Sequence, residues 1–318
     1  MQIFLAGGES RHWLQAPLIE ETNADILSKP SHVPEIQGGR ELAQKAIGGI
    51  FSNADLPSGQ HDIPSLHRSD VIRGGFSSDG IDNAVKNWRP FILESFFYAD
   101  SETEKLLPHF GDFLLDSGAF TFMGGLSFTS NGNININWEE YLERYADFIN
   151  RNKIEKFFEL DIDSVVGYDK VKQFRRKLET MTHRQCIPVW HSTRGKEEYL
   201  RSCDEYPYVA LGGIVGGEWN AKAEKYIPWF IKEAHKRDTK VHGLGYTKLG
   251  KLREYHFDSV DSTAWTTGNR FGFIYRFDGK TMVKHDVPKG KRIGDSKKVA
   301  MINYSEWIKF QKWAVNHL

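Results

Sequence analysis

The feature that most constrains the fold of this chain is a regular alternation of short apolar runs with amphipathic segments. Eight runs can be counted, at residues 2–6, 90–99, 112–115, 156–162, 186–190, 208–211, 240–244 and 257–260. Their near-continuous hydrophobicity is typical of strands that are buried on both faces of a parallel sheet. The segments between them predict helices at residues 138–152, 169–182, 196–203, 219–237 and 248–255.

Eight strands that alternate with helices predict an α/β fold of the (β/α)8 TIM-barrel type. The alternative is an open doubly wound sheet, but the chain has Gly7-Gly8-Glu9-Ser10 after its first strand instead of the glycine-rich dinucleotide fingerprint. The 318 residues are expected to form a single barrel domain.

Two additions to a minimal barrel are expected. Residues 8–89 form a long insertion after the first strand, which places it over the face where the carboxyl ends of the strands lie. Residues 271–318 form a C-terminal extension, in which a hairpin turns at Asp278-Gly279 and an amphipathic helix spans residues 304–317.

Charge and cysteine content exclude several classes of protein. The chain has 42 basic and 42 acidic residues, so any nucleic-acid partner must be held by a local basic patch. The two cysteines, Cys186 and Cys203, are too few for a disulfide framework or a cysteine-rich zinc site. No apolar run approaches the roughly 20 residues of a membrane span. We therefore expect a cytoplasmic protein with no membrane partner.

The residues that close the apolar runs are the candidate site, because barrel enzymes build their active sites at the carboxyl ends of the strands. Acidic groups that converge at one end of a barrel repel one another and raise one another's pKa. This repulsion destabilises the fold, so such a cluster indicates a function. The candidates are Asp116, Asp161, Asp163, His191, Asp261 and the glycines Gly212, Gly213 and Gly243.

Each candidate also has a purely structural interpretation. An Asp that ends a strand often caps the next helix, and Asp163 and Asp258 fit this role best. Paired glycines after a strand are commonly turn residues, and His191 can simply bond a neighbour. Paired carboxylates suit glycoside chemistry, whereas metal binding is the competing use of the same residues. The sequence has neither a short metal-ligand spacing nor a G-x-S-x-G elbow.

Four motifs carry a resemblance to a known family. The chain is similar to the tRNA-guanine transglycosylase superfamily, (β/α)8 enzymes that exchange guanine in a polynucleotide for a 7-deazaguanine. The segment L-D-S-G-A-F at 115–120 matches D-S-G-G-F, and A-L-G-G-I-V-G-G-E at 210–218 is similar to A-I-G-G-L-A-V-G-E. The segment H-G-L-G at 242–245 resembles M-G-V-G, and the stretch from Asp261 to Gly272 resembles D-C-V-L-P-T-R-N-A-R-N-G in its Asp, one Thr, an Arg and the final Gly.

The resemblance implies a role for each matching residue. Asp116 is implied as the general acid/base and Asp261 as the covalent nucleophile, with Asp258 as second choice because a slipped alignment would select it. Asp161 is implied to recognise the amino edge of the purine. The remaining residues expected to contact the base are Phe120, Asp163, His191, Gly212, Gly213, Ile214 and Gly243.

The departures from the family narrow the expected substrate. The tRNA-acting members hold zinc with a C-x-C-x-x-C…H cluster that this chain lacks, and they have a Gln where this chain has His191. A compact member without zinc resembles the phage-type 7-deazaguanine DNA transglycosylases, which place 7-cyano-7-deazaguanine or its derivatives in DNA to evade restriction. The resemblance implies no cofactor and no metal. The target nucleotide is expected to be single-stranded or rotated out of the duplex.

A basic window at residues 284–298, with six basic residues against two acidic ones, is the candidate for phosphate contacts. Lys289, Lys291 and Arg292 within it, together with Arg270, are expected to bind the nucleic acid. A solvated loop is the structural alternative for such a window.

Three other functions stay open at this stage. The chain could modify tRNA instead of DNA, or it could be an unrelated barrel glycosidase or nucleosidase that releases a free base without exchange. It could also be an inactive accessory subunit, although the presence of both Asp116 and Asp261 argues against that.

Overall fold

The computed structural model describes residues 1–6, 88–119, 136–213, 224–246, 248–286 and 296–318. The expected insertion at residues 8–89 lies outside the described residues, apart from Trp88 and Arg89. No helix within the described ranges is long and apolar enough to cross a membrane.

The described part of the chain is built on a curled, seven-stranded parallel sheet with helices around it. The strand order in the sheet is β3-β2-β1-β7-β6-β5-β4. The strands are β1 (Gln2–Ala6), β2 (Phe91–Ser95), β3 (Asp112–Asp116), β4 (Val189–Trp190), β5 (Tyr208–Leu211), β6 (Lys240–Gly243) and β7 (Ser259–Ser262). Seven of the eight predicted runs therefore contain a strand of the sheet, which confirms the α/β class and the parallel arrangement.

The remaining run, at residues 156–162, is not the full strand that the sequence predicts. It makes two single parallel bridges, Leu115 with Phe157 and Phe158 with Ile187. The amide of Val189 donates to the side chain of Glu159 at 2.7 Å, and this bond takes the place of the next backbone bond of a ladder. A polar side chain thus ends the pairing of this segment after one residue on each side.

The helices largely follow the predicted positions. Their bounds are α1 (Ser101–Leu106), α2 (Trp138–Arg151), α3 (Asp163–Val166), α4 (Tyr168–Thr182), α5 (Gly195–Glu205), α6 (Ile227–His235), α7 (Leu252–Tyr255), α8 (Ala264–Phe271) and α9 (Ser296–His317). The helix predicted at 219–237 is described only from residue 224, and there α6 begins at Ile227 with a proline in its first turn. Helix α9 is described from Ser296, so it includes the eight residues before the predicted start at 304.

Helix α2 shows how the sequence fixes an element against the sheet. The Asn137 side chain accepts a hydrogen bond from the Glu140 amide at 3.3 Å and caps the first turn. On the buried face, the Tyr145 hydroxyl lies 3.1 Å from the carbonyl of Leu115 and 2.9 Å from the carbonyl of Phe158. One tyrosine therefore ties α2 to both sides of the bridge between β3 and the 156–162 segment.

The C-terminal extension packs onto the sheet. Strands β8 (Phe273–Phe277) and β9 (Met282–Asp286) form the predicted antiparallel hairpin. Helix α9 covers it through Asn303, whose Oδ1 accepts the Tyr275 amide at 2.7 Å. At the other end of α9, the buried Gln311 accepts the Phe91 amide at 2.9 Å and also donates to the carbonyl of Ile3. One side chain of the extension is therefore bonded to both β1 and β2.

The concave side of the sheet holds a compact apolar cluster. It receives buried side chains from β1 to β5 and from the bridged segment: Phe4, Ala6, Leu93, Leu114, Phe158, Ile187, Val189 and Ala210. These side chains alternate with outward-facing ones along each strand, as the period of two requires. The polar residues described next lie at one end of this cluster.

Candidate active site

Three carboxylates converge at the carboxyl end of the sheet. Asp116 is the last residue of β3, Asp161 follows the bridged segment, and Asp261 lies in the second half of β7. The negative charges of both Asp161 and Asp261 act on the carboxyl of Asp116. The three side chains therefore occupy one site, as the positions of their runs predict.

Asp116 is the carboxyl most affected by this convergence. Burial raises its pKa to about 7, with the charges of Asp161 and Asp261 acting in the same direction against hydrogen bonds from the Gly118 and Ser117 amides. Its Oδ2 accepts the Gly118 amide at 3.0 Å. Gly118 has φ +80°, and a Cβ there would lie 2.9 Å from the Tyr141 hydroxyl, so only glycine fits this turn. The group that it holds can give or take a proton near neutral pH.

Asp161 and His191 form a polar pair beside Asp116. The Ser117 hydroxyl donates to Asp161 Oδ1 at 3.4 Å, and His191 Nε2 lies 3.4 Å from Asp161 Oδ2. The imidazole packs directly on Gly212, where a Cβ would come within 2.8 Å of His191 Cε1. Gly212 therefore lies in the site, as predicted, and its contribution is the space that it leaves for the His191 imidazole. Its neighbour Gly213 has φ +74°, in the region that favours glycine.

Asp261 is buried and held at one of its two oxygens. The amide of Gly245 donates to Oδ1, and His242 Nε2 lies 3.2 Å from the same atom. Both hydrogen bonds that Asp261 makes with described residues thus converge on Oδ1. No hydrogen bond from a described residue reaches Oδ2, and a carboxylate that acts as a nucleophile needs one such oxygen.

His242 was missed as a site residue, because the sequence shows it only as the first letter of a strand-ending H-G-L-G. The signal that could have found it is the register of β6 and β7, which pairs His242 with Ser259, two residues before Asp261 on the same face. The imidazole is fully buried and bonds Ser259 Oγ through Nδ1 at 2.6 Å.

Asp258 lies at the opposite end of the strand from Asp261. It precedes β7, its Oδ2 accepts the Val241 amide at 2.7 Å, and His235 Nε2 lies 2.9 Å from the same oxygen. Three residues of a strand span roughly 10 Å. The geometry therefore favours Asp261 over Asp258 as the carboxylate of the site.

Asp163 has its carboxylate engaged by an arginine. Both oxygens are bound by Arg194, at 2.9 Å from Nε and 2.6 Å from Nη2. The same guanidinium donates to Glu159 at 2.6 Å, and Arg175 donates to the other oxygen of Glu159 at 2.6 Å. Burial raises the pKa of Glu159, but the charges of Arg194 and Arg175 outweigh burial and lower that pKa overall.

This buried network flanks the Asp161 site, and sequence analysis identified neither Glu159 nor Arg194 as part of it.

Gly243 has a packing role in the described structure, since a Cβ there would lie 2.9 Å from Phe257 Cε1. The predicted contacts Phe120, Ile214, Lys289, Lys291 and Arg292, and the side chain of Arg270, lie outside the described residues.

Within the part of the chain that the structure describes, no group of three or more His, Cys, Asp or Glu side chains is placed to hold a metal ion. The described residues offer a proton-transfer group at Asp116 and a second carboxylate at Asp261, next to the polar pair of Asp161 and His191. No protein-family model and no curated protein matches this sequence.

Proposed function

We propose that this protein is a DNA-guanine transglycosylase, which exchanges guanine in DNA for 7-cyano-7-deazaguanine or a derivative of it. The observation that carries the proposal is the pair Asp116 and Asp261 at one end of the sheet. One carboxyl has a pKa raised to about 7, and the other accepts both of its hydrogen bonds from described residues on a single oxygen. Base exchange at an anomeric carbon needs one proton-transfer group and one nucleophile.

The exchange takes place in two half-reactions. Oδ2 of Asp261 bonds to C1′ of the target deoxyribose as the C1′–N9 bond breaks. The electron pair of that bond leaves with guanine, which receives a proton from Asp116. In the return step, N9 of the incoming 7-deazaguanine bonds to C1′, its proton passes to Asp116, and Asp261 recovers its electron pair. Two displacements on one carbon give retention of configuration, and no cofactor is consumed.

The Asp161–His191 pair is proposed to select the base. A purine with an exocyclic amino group presents donors along one edge and acceptors along another, which a carboxylate beside an imidazole can match. The absence of a side chain at Gly212 leaves the space that the His191 imidazole occupies. A planar base is proposed to lie beside this imidazole, over the backbone of Gly213.

We further propose that the sheet closes into the (β/α)8 barrel of this enzyme class. The 156–162 segment supports closure, since it bonds β3 on one side and residue 187 on the other. The Leu115 amide donates to the Lys156 carbonyl at 3.0 Å, and the Ile187 amide donates to the Phe157 carbonyl at 2.8 Å. A closed barrel surrounds the site with strand ends on all sides.

DNA as the polymer, with the role in protecting phage DNA from restriction, is proposed from the sequence resemblance. The basic window at 284–298, with Lys289, Lys291 and Arg292, would bind phosphates, and Arg270 would lie near the reacting nucleotide. DNA binding should then weaken steeply as salt is raised.

The test uses the full chain with guanine-containing duplex DNA, single-stranded DNA or tRNA, each with 7-cyano-7-deazaguanine. Nucleosides are then analysed by mass spectrometry. D261N is compared with D258N, the same change at the other end of β7. A modified deoxynucleoside that D258N makes and D261N does not supports the proposal.

Other outcomes overturn the proposal in distinct ways. A modified ribonucleoside alone makes the protein a tRNA enzyme. Free guanine released without incorporation makes it a glycosidase. The absence of any product overturns the exchange of guanine for 7-cyano-7-deazaguanine.

A further inference from the structure

Polar groups from β5, β6 and β7 form a chain of hydrogen bonds that ends at Asp261. The two half-reactions described above do not use this chain. The Tyr208 hydroxyl bonds Ser259 Oγ, which lies 2.6 Å from His242 Nδ1, and His242 Nε2 lies 3.2 Å from Asp261 Oδ1. Ser259 and His242 are both fully buried. Buried polar groups that are fully bonded to one another fix a single arrangement of their side chains.

Apolar and aromatic side chains enclose the imidazole of His242. Its ring centroid lies 5.3 Å from that of Phe158, 6.2 Å from that of Phe4 and 6.4 Å from that of Tyr208. Ring nitrogens in such surroundings depend on Ser259 and Asp261 for their hydrogen bonds. If Tyr208 donates to Ser259 and Ser259 donates to Nδ1, the proton of the ring is on Nε2 and points at Asp261.

We propose that His242 is a positioning residue for the nucleophile, with Ser259 and Tyr208 fixing the ring tautomer that donates to Asp261. This inference rests on the proposed function and deepens it. Two donors, His242 Nε2–H and the Gly245 amide, hold Oδ1, so the carboxylate cannot rotate and Oδ2 attacks C1′. The same two donors stabilise the carboxylate charge that returns to Asp261 when the second base displaces it. The His242 proton stays on Nε2 throughout, so the proton balance of the exchange is unchanged.

The test compares two amide replacements that differ in reach. H242Q places an amide nitrogen near the position of Nε2, whereas H242N fills only the position of Nδ1 and cannot reach Asp261. The matched control is H235N, because His235 faces Asp258 at the other end of the same strand. Each variant is checked for folding by circular dichroism, and base exchange is then measured with DNA and 7-cyano-7-deazaguanine.

H242N is expected to lower kcat about a hundredfold, the size of effect that a misplaced reacting group produces, with KM for the incoming base changed less than about threefold. H242Q should exceed H242N in kcat by about tenfold or more, and H235N should match the wild type. Full kcat in H242N, or equal losses in H242N and H242Q, overturns the inference while base exchange by the wild type still stands. A wild type that does not exchange bases overturns the proposed function and this inference with it.

A second measurement keeps the inference testable if H242N fails to fold. In ¹⁵N spectra of the wild type, the His242 signals should show a protonated Nε2 and an unprotonated Nδ1, and S259A should redistribute them. A proton on Nδ1 in the wild type overturns the assignment.

Discussion

At the scale of single residues, Asp116 gives a direct test through pH. Burial and the charges of Asp161 and Asp261 raise its pKa to about 7, and the proposed departure of guanine needs its acid form. Release of labelled guanine from DNA in a single turnover should therefore fall as pH rises through 7. In D161N one of the two charges is gone, so the pKa of Asp116 drops and the fall should move to lower pH. A midpoint that stays in place in D161N at saturating DNA would contradict the coupling of the two carboxyls.

The same shift affects stability. The folded pKa of Asp116 lies above that of the unfolded chain, so the folded state binds the proton more tightly. The resulting stabilisation is complete below about pH 4 and is lost as pH rises through 7. D116N keeps the acceptor for the Gly118 amide and carries no charge. At pH 8 the free energy of unfolding of D116N, measured relative to that of the wild type, should be about 4 kcal/mol higher than it is at pH 4. Urea denaturation of both proteins at the two pH values measures this change. The same difference between D116N and the wild type at pH 4 and at pH 8 would refute the prediction.

Gly212 directly follows β5, and the prediction for this residue concerns the space that it leaves for neighbouring side chains. Adding a methyl group would bring it within 2.8 Å of both His191 Cε1 and Val189 Cγ1. G212A should therefore displace His191 from Asp161, raise KM for the incoming base, and cost about 1 to 3 kcal/mol of stability. G250A is the matched control, because nothing lies within 4 Å of a Cβ there. Base titrations and thermal unfolding of both variants would show whether the glycine is needed for space or only for the turn.

At the scale of elements, the 156–162 segment depends on the Glu159 network. Arg194 and Arg175 both donate to Glu159, which is fully buried. E159Q removes the negative charge from between two cations and should cost about 3 to 5 kcal/mol in urea denaturation. In the control E102Q, the lost partner belongs to an exposed pair with Lys105, so the cost should stay within about 0.5 kcal/mol. Equal losses in the two variants would show that the buried network does not stabilise the segment.

This segment also shows where sequence reasoning reached its limit. Apolar periodicity predicted the strands and most helices because burial on the sheet dictates it. The same pattern predicted a full strand at 156–162, where the Glu159 side chain takes the bond of the Val189 amide. The hydrophobicity pattern of a sequence does not show where a side chain replaces a backbone carbonyl as hydrogen-bond acceptor.

Within the site, sequence position identified Asp116, Asp161 and Asp261, since each closes an apolar run. It could not separate Asp261 from Asp258, which differ only in the end of β7 that they occupy. It also missed His242, because a buried histidine inside a strand becomes visible only when the register places it beside Ser259. Contacts between distant strands depend on register, and composition does not encode register.

At the scale of the whole molecule, the relative position of Asp116 and Asp261 depends on whether the curled sheet closes into a barrel. The amides of Leu115, Phe158, Glu159 and Ile187 all donate to backbone carbonyls across the two bridges, and the Tyr145 hydroxyl bonds the carbonyls of Leu115 and Phe158. In a closed barrel these amides open only with the sheet itself, so their hydrogen exchange should be as slow as that of the β5–β6 pair. Y145F should speed exchange at the bridges and leave β5–β6 unchanged. Its control, Y199F, removes a hydroxyl that bonds the Phe230 carbonyl at 2.8 Å, so it should leave the bridges protected. Fast exchange at all four amides in the wild type would mean an open sheet, and then Asp116 and Asp261 would not be held facing each other as the proposed base exchange requires.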